Sequence, residues 1–105
     1  MKLEDYNLPS WKEGKFRRQK RIDKYRILLL SIDRTVPPPR EGRKNLIAVD
    51  EFDNIIWIAD LPTEIYDSYY EMKYKDGVIY GRSSNSHIAE IDPITGKILK
   101  KYMVR

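Results

Sequence analysis

One stretch of eleven residues predicts a β-hairpin: Tyr70-Glu71-Met72-Lys73-Tyr74-Lys75-Asp76-Gly77-Val78-Ile79-Tyr80. In its first half, tyrosine and methionine alternate with charged residues, as expected for a strand that buries one face. Asp76-Gly77 is typical of a two-residue turn in which both central residues need a positive φ. The stretch therefore predicts two antiparallel strands joined by a tight turn.

Two further turns are predicted on either side of this hairpin. In Asp92-Pro93-Ile94-Thr95-Gly96-Lys97, proline opens the turn, Asp92 can bond the turn backbone and Gly96 can take a left-handed conformation. In residues 51–54, Asp53 and Asn54 tolerate the left-handed conformations that a reversal needs. The β-branched and aromatic runs between turns predict seven strands, near residues 27–32, 45–50, 55–60, 69–75, 78–83, 87–92 and 97–104.

Three of these strands are apolar at nearly every position, at residues 27–30, 46–49 and 55–58. An alternating strand buries one face, so we expect a continuously apolar strand to be covered on both faces. No segment requires a helix, because Gly14 and residues 15–16 interrupt the helical pattern of residues 11–25. We expect an all-β, mainly antiparallel fold with a core of Ile27, Leu29, Ile47, Val49, Trp57, Tyr80, Ile91 and Ile98.

Length and composition set the domain organisation. The chain has 105 residues, enough for one domain with a hydrophobic core and too few for a second domain, so we expect an N-terminal arm, residues 1–14, and a single β domain, residues 15–105. The absence of cysteine excludes disulfides, thiolate metal sites and cysteine nucleophiles. No apolar run approaches the ~20 residues that span a bilayer, and the acidic start is unlike a secretory signal. We expect a cytoplasmic protein without a membrane partner.

Two parts of the chain carry a family resemblance: NLIAVDEFDNIIW at residues 45–57, and DGVIYG at residues 76–81 together with EIDPITGKIL at residues 90–99. They resemble blade segments of quinoprotein-like β-propellers and, more closely, small uncharacterised bacterial proteins built from such segments. The resemblance covers residues 26–104. It implies an antiparallel meander in two blade-like sheets, with residues 15–21 as a first strand.

Two blade-like sheets are a partial propeller, because closed propellers typically have about four to eight blades. Two arrangements are open. The sheets can pack on each other as a small sandwich or open barrel, which we favour, or several copies can complete a ring. The quinone ligands of true quinoproteins have no counterpart in this sequence, so we expect no cofactor.

Candidate catalytic residues are few. His87 is the only histidine, so no histidine pair for a metal and no Ser-His-Asp triad can form without it. It follows a serine-rich turn, where an exposed histidine is expected. No glycine-rich phosphate loop is present. The carboxylates could bind calcium or form a glycosidase pair, but their spacing does not match an EF-hand and we expect them to be solvated: Asp50, Glu51, Asp53, Asp60, Glu64 and Asp67.

Tyrosine is concentrated in one part of the chain, since five of the eight tyrosines fall within residues 66–80. On a sheet, tyrosine can fill a core while its hydroxyl stays wet, or it can form a flat recognition surface. We predict a non-catalytic binding module with no catalytic, cofactor-binding or metal-binding residues, in which Tyr66, Tyr69 and Tyr70 contact a partner. The favoured partner is another protein, for which this chain is an accessory or neutralising partner. Binding of sugars by aromatic sheet faces is an alternative.

Positive charge is concentrated near the N-terminus, because residues 1–44 have a net charge of +7 and residues 45–105 a net charge of −3. With Trp11, Phe16 and Tyr25 interleaved, these cations could neutralise phosphates while bases stack on rings, so nucleic acid is a second alternative partner. The same cations could instead guard an exposed sheet edge against pairing with other chains. The candidate binding residues here are Trp11, Arg17, Arg18, Lys20, Arg21 and Lys24.

Overall fold

The computed structural model describes residues 1–6, 11–33 and 35–104, and of residues 11–15 it describes the backbone only. The described residues form a short 3-10 turn, Leu3–Asp5, followed by eight strands. The strands are β1 Trp11–Ile22, β2 Tyr25–Ile32, β3 Leu46–Asp50, β4 Ile55–Ile58, β5 Tyr69–Lys75, β6 Val78–Ser83, β7 His87–Ile91 and β8 Ile98–Met103.

The strands are arranged in two four-stranded sheets. The first sheet has the order β1-β2-β3-β4 and the second the order β5-β6-β7-β8. Every neighbouring pair is antiparallel, so each sheet is a meander without a crossover. The predicted all-β fold with two antiparallel sheets is confirmed, and one core contains residues of both sheets. The resemblance to propeller blades stays a prediction.

The three predicted hairpin turns are confirmed. Asp76 and Gly77 have φ angles of 51° and 77°, so both central residues of the β5–β6 turn are left-handed. Gly96 has a φ of 74°, and the Ile94 N–H donates to Asp92 Oδ1 at 2.8 Å in the β7–β8 turn. Asp53 has a φ of 62° between β3 and β4. The local side-chain chemistry therefore specifies these reversals.

The basic N-terminal stretch is a long strand at the edge of the first sheet. β1 pairs with β2 in a register that places Lys20 opposite Ile27, with irregularities on both sides of Phe16. β1 contains residues 15–21, the first strand that the family resemblance implies. With β1, the described residues form eight strands instead of the seven predicted from the β-branched and aromatic runs. The predicted boundary between residues 14 and 15 lies inside β1, and Leu3 of the predicted arm is buried.

Alternate residues of β2 belong to two different cores. Ile27 and Leu29 lie in the core between the sheets. Leu28 and Leu30 lie in a second core on the other side of the first sheet, together with Leu3. The prediction that residues 27–30 and 46–49 are covered on both faces is confirmed, since all of these positions are buried.

Six of the eight residues predicted to form the core are buried. Two core residues and one prediction about a strand are corrected by the structure. Tyr80 and Ile98 are half-buried, because Tyr80 points away from the core and Ile98 lies on the edge strand β8. The prediction that residues 55–58 are covered on both faces is wrong, since Ile56 is 47% exposed on β4, which ends the first sheet. The buried members are Ile27, Leu29, Ile47, Val49, Trp57 and Ile91.

A buried asparagine joins the two sheets. The Asn45 side-chain amide donates to the carbonyl oxygens of Leu30 at 3.1 Å and Tyr69 at 2.7 Å. Its oxygen accepts the N–H of Tyr69 at 2.8 Å. Because Leu30 lies in β2 and Tyr69 in β5, one side chain bridges both sheets. Trp57 adds a second link, since its Nε1–H donates to the Pro93 carbonyl oxygen at 2.9 Å.

Candidate interaction surfaces

The second sheet presents one face to solvent. In β6, Ile79 and Gly81 are buried, so the alternate residues Tyr80 and Arg82 point outward. The pairing register continues this face onto β5, β7 and β8. We call it the outer face, and its members are Glu71, Lys73, Lys75, Val78, Tyr80, Arg82, Ile88, Glu90, Lys100 and Tyr102.

Tyrosine rings and cations lie side by side on and next to the outer face. The Arg82 guanidinium is 6.0 Å from the ring centroid of Tyr70, and Lys100 Nζ is 5.6 Å from that of Tyr102. Loss of solvent, followed by the carboxylate of Glu90, raises the pKa of the Tyr102 hydroxyl.

A shallow concavity of about 450 Å³ lies within the outer face. Its lining includes Tyr80, Arg82 and Ile88, together with Lys73 and Glu71, which form an ion pair at 3.4 Å. The concavity thus combines an aromatic ring, an aliphatic side chain and charges of both signs. Such a mixture suits a polar protein surface better than a uniformly charged ligand.

A second concavity, the junction groove, lies where β1 meets β5. It has a volume of about 400 Å³, and Lys20 Nζ lies 6.0 Å from the Tyr74 ring centroid. Arg18 and Lys20 reach it because their cross-strand partners, Leu29 and Ile27, belong to the core between the sheets, so their side of β1 faces the second sheet. The lining residues are Arg18, Gln19, Lys20, Met72, Lys73, Tyr74 and Lys75.

The predicted basic residues are exposed but do not all converge. Arg17, Arg18, Lys20 and Arg21 are exposed on β1, and Lys24 is exposed in the turn to β2. Only Arg18 and Lys20 of this set line the junction groove. The backbone of Trp11 begins β1, and its side chain lies outside the described residues.

Two of the three aromatic residues predicted to stack on bases, Phe16 and Tyr25, pack against the cores. Phe16 is half-buried against the core that contains Leu28, and Tyr25 is half-buried against the core between the sheets. The ring that lies beside the cations is instead that of Tyr74, which is 37% exposed. In the alternating pattern of β5, Tyr74 shares the face of the buried Met72, so that pattern predicts burial and gives no signal of its exposed position.

The three predicted tyrosines have three different environments. Tyr66 is exposed in the loop before β5, with a φ of 53°. Tyr70 is half-buried beside Arg82 at the margin of the outer face. Tyr69 is 1% exposed, and its hydroxyl donates to the Asp60 carbonyl oxygen at 2.7 Å. Burial raises the pKa of Tyr69, and this residue belongs to the core rather than to a binding surface.

The carboxylates singled out by the sequence have different environments in the structure. Asp67 is buried rather than solvated, and it accepts the N–H groups of Ser68 at 2.9 Å and Asn85 at 3.1 Å and the Thr63 hydroxyl at 2.7 Å. These bonds hold the loop before β5 against the β6–β7 turn. In the described parts of the chain, no three metal-ligating side chains come together.

Two other residues that the sequence singled out, His87 and Asp50, contact residues in nearby turns. His87 Nδ1 lies 2.9 Å from the Asn85 carbonyl oxygen, and the histidine is half-buried at the start of β7. Hydrogen bonds from the Asn54 side chain and backbone lower the pKa of Asp50 in the β3–β4 turn. Among residues 1–6, 11–33 and 35–104, no helix has the length and apolarity to cross a bilayer.

A family model described as a domain of unknown function, DUF7957, matches residues 19–103. This range covers the second sheet entirely and, in the first sheet, β2, β3, β4 and the last four residues of β1. The chain belongs to the DUF7957 family. No curated protein and no solved structure matches it significantly.

The DUF7957 match contains every residue of the outer face and most of the junction groove. Arg17 and Arg18 precede it, whereas Lys20 lies inside it. Sequence reasoning missed Lys73 and Lys75 as binding residues because their charges lie in the acidic half of the chain. The alternation of Glu71, Lys73 and Lys75 along one strand was the available signal that they share an exposed face.

Proposed function

We propose that this DUF7957 protein is a non-catalytic binding module that holds a protein partner through the outer face of the second sheet. One observation carries the proposal: this face presents Tyr80 and Arg82, both half-buried, and the exposed Tyr102, with Tyr70 at its margin. The corresponding face of the first sheet is instead buried beneath residues that include Leu3. Tyrosine and arginine are enriched at protein interfaces and dominate their binding energy.

The size of the face sets a condition on the partner. Four strands about 4.8 Å apart and about six residues long span a plane of about 400 Å². A standard interface buries about 800 Å² on each partner. The partner must therefore extend past the sheet, and the neighbouring β8 edge provides exposed apolar contacts in Leu99 and Met103.

The contacts of the buried carboxylate and the composition of the outer face support binding without catalysis. The buried carboxylate of Asp67 accepts three hydrogen bonds, and its role in them is to hold two loops together. The outer face contains no histidine, and it carries charges of both signs, with the carboxylates of Glu71 and Glu90 among four cations. A mixed-charge face favours recognition by complementary charges on a partner, which improves specificity and association rate.

Two further expectations stay proposals. The location is proposed to be the cytoplasm, because a fold without cysteine needs no oxidising compartment. The two sheets are proposed to be blade segments of the quinoprotein-like propeller type found in small bacterial proteins. Their four-stranded antiparallel meanders support this, since propeller blades have that form.

Site-specific photo-crosslinking tests the proposed interface. A photoreactive phenylalanine analogue would replace Tyr80 in one variant and Phe52 in the control, since Phe52 is 67% exposed in the β3–β4 turn. We expect a protein adduct from cells at Tyr80 and none at Phe52. With the purified partner, Tyr80→Ala should weaken binding by about 2 kcal/mol, or about thirtyfold in Kd, as truncation of an interface hot spot does.

The proposal fails if the adduct forms at Phe52 and not at Tyr80, or if Tyr80→Ala binds the crosslinked partner as tightly as the unmodified protein. A metal or cofactor that purifies with the protein at stoichiometric occupancy would also overturn it in favour of an enzyme. Binding of glycans on an array that Tyr80→Ala abolishes would replace the protein partner with a carbohydrate.

A further inference from the structure

The junction groove is a cationic channel that shares Lys73 and Lys75 with the outer face, whereas its other lining residues lie outside that face. Arg18, Lys20, Lys73 and Lys75 line it, and no carboxylate is among its lining residues. Of these four cations, only Lys73 has an ion pair within the described parts of the chain, with Glu71. Charges of one sign at a sheet junction repel each other and lower stability, so their convergence favours an anionic ligand.

We propose that the junction groove binds the phosphate backbone of single-stranded nucleic acid. The cations come from two sheets: Arg18 and Lys20 from the inward side of β1, Lys73 and Lys75 from the outward side of β5. The pair of cations from β1 and the pair from β5 line the same groove. A chain of phosphates can therefore contact both rows at once, whereas a single small anion would contact only part of them.

The Tyr74 ring is the feature that selects a single strand. It lies among the cations, with Lys20 Nζ 6.0 Å from its centroid, and it is 37% exposed. Aromatic rings interleaved with cations bind single strands because bases stack on the rings while phosphates are neutralised. A duplex holds its bases inside the helix, so it gains only the phosphate contacts. DNA and RNA share this chemistry, and separate oligonucleotides of each kind distinguish them.

An edge-protection role is the competing explanation for Arg18 and Lys20. Lysine and arginine on an edge strand prevent pairing with other chains. That role requires no particular position on the partner sheet and no aromatic ring. Because β5 is also an edge strand, the same role accounts for Lys73 and Lys75, but it leaves unexplained the Tyr74 ring beside Lys20 and the presence of both pairs of cations in one groove.

Fluorescence anisotropy with labelled oligothymidine of about 12 nucleotides tests the groove, with salt varied between about 50 and 200 mM. If all four cations contact phosphates, the slope of log affinity against log salt should be about −2.8. The double variant Arg18→Gln/Lys20→Gln should reduce the slope to about −1.4. The matched control Lys97→Gln/Lys101→Gln, on exposed residues at β8, removes the same charge and should leave the slope unchanged.

A second pair of variants tests the ring separately from charge. Tyr74→Ala should weaken binding of the single strand by about 5- to 150-fold without changing the salt slope. Tyr74→Phe keeps the ring and should bind within about threefold of the unmodified protein. Both variants retain every residue of the outer face, so a failure here leaves the proposed protein interface untouched.

Several results would overturn the proposal. The first is no binding of oligothymidine or oligouridine at about 50 mM salt. The second is an equal loss of slope in the β8 control variant, which would indicate attraction by net charge alone. The third is duplex DNA binding as tightly as the single strand. The fourth is competition by polyglutamate of equal charge at equal concentration, which would assign the groove to an acidic protein.

Discussion

Removal of the Asn45 side chain should lower the free energy of unfolding, because this side chain links the two sheets. Asn45 is 1% exposed and makes three hydrogen bonds, to the Leu30 carbonyl oxygen and to the N–H and carbonyl oxygen of Tyr69. At a net value of about 1 kcal/mol each, Asn45→Ala should lower the free energy of unfolding by about 3 kcal/mol. That is a large part of the about 5 to 15 kcal/mol that stabilises a typical domain.

Urea unfolding monitored by Trp57 fluorescence measures this loss, and thermal unfolding should show a Tm lower by about 10 to 20 °C. The matched control is Asn85→Ala. Asn85 also makes two side-chain hydrogen bonds, to Thr63 Oγ1 and the Ile65 carbonyl oxygen, but it is exposed, so water can replace them. The reasoning is refuted if Asn45→Ala loses less than about 1 kcal/mol, or no more than Asn85→Ala.

Three other predictions concern stability. Gly96→Ala should destabilise the protein by about 2 to 5 kcal/mol in urea unfolding, because φ is 74° and a Cβ would overlap the Trp57 ring. Gly77→Ala, at a φ of 77° in open space, should cost only about 1 to 2 kcal/mol, and equal losses would contradict the packing argument. Tyr69→Phe should lose about 0.5 to 1.5 kcal/mol with its bond to the Asp60 carbonyl oxygen, and no loss by the same measurement would argue against that bond. Burial raises the pKa of Tyr6 from 10.0 to about 12, so its neutral form stabilises the fold below pH 10 and this contribution should fall as pH rises from 10 toward 12. Unfolding measured across that range should show a smaller decline in Tyr6→Phe, and an unchanged decline would contradict the assignment.

The turns and the two-sided strands could be predicted from sequence because their causes are local. Asp76-Gly77 and Gly96 adopt the left-handed conformations that their residue types favour. Residues 27–30 are apolar without interruption, and every one of them is buried. In these places a short window of sequence contains the full physical reason for the structure.

The environment of each tyrosine could not be predicted in this way. Tyr69 and Tyr70 are neighbours with the same propensity, yet one is in the core and the other at the margin of the outer face. The irregular register between residues 69 and 71 shifts the alternation by one position at this point. A bulge moves a side chain from one face of a strand to the other, and local composition does not determine where it falls.

By itself, the sequence determined the fold class, three hairpin turns and an excess of cations in residues 1–44, because each depends on residue types close together in the chain. Only the tertiary structure decided which cations line the same groove. Lys20 and Lys75 are far apart in sequence, and they share a groove because β1 and β5 are edge strands of two sheets that pack across a common core. The packing of that core sets the distance between the two edge strands. This distance cannot be derived from the sequence of either strand alone.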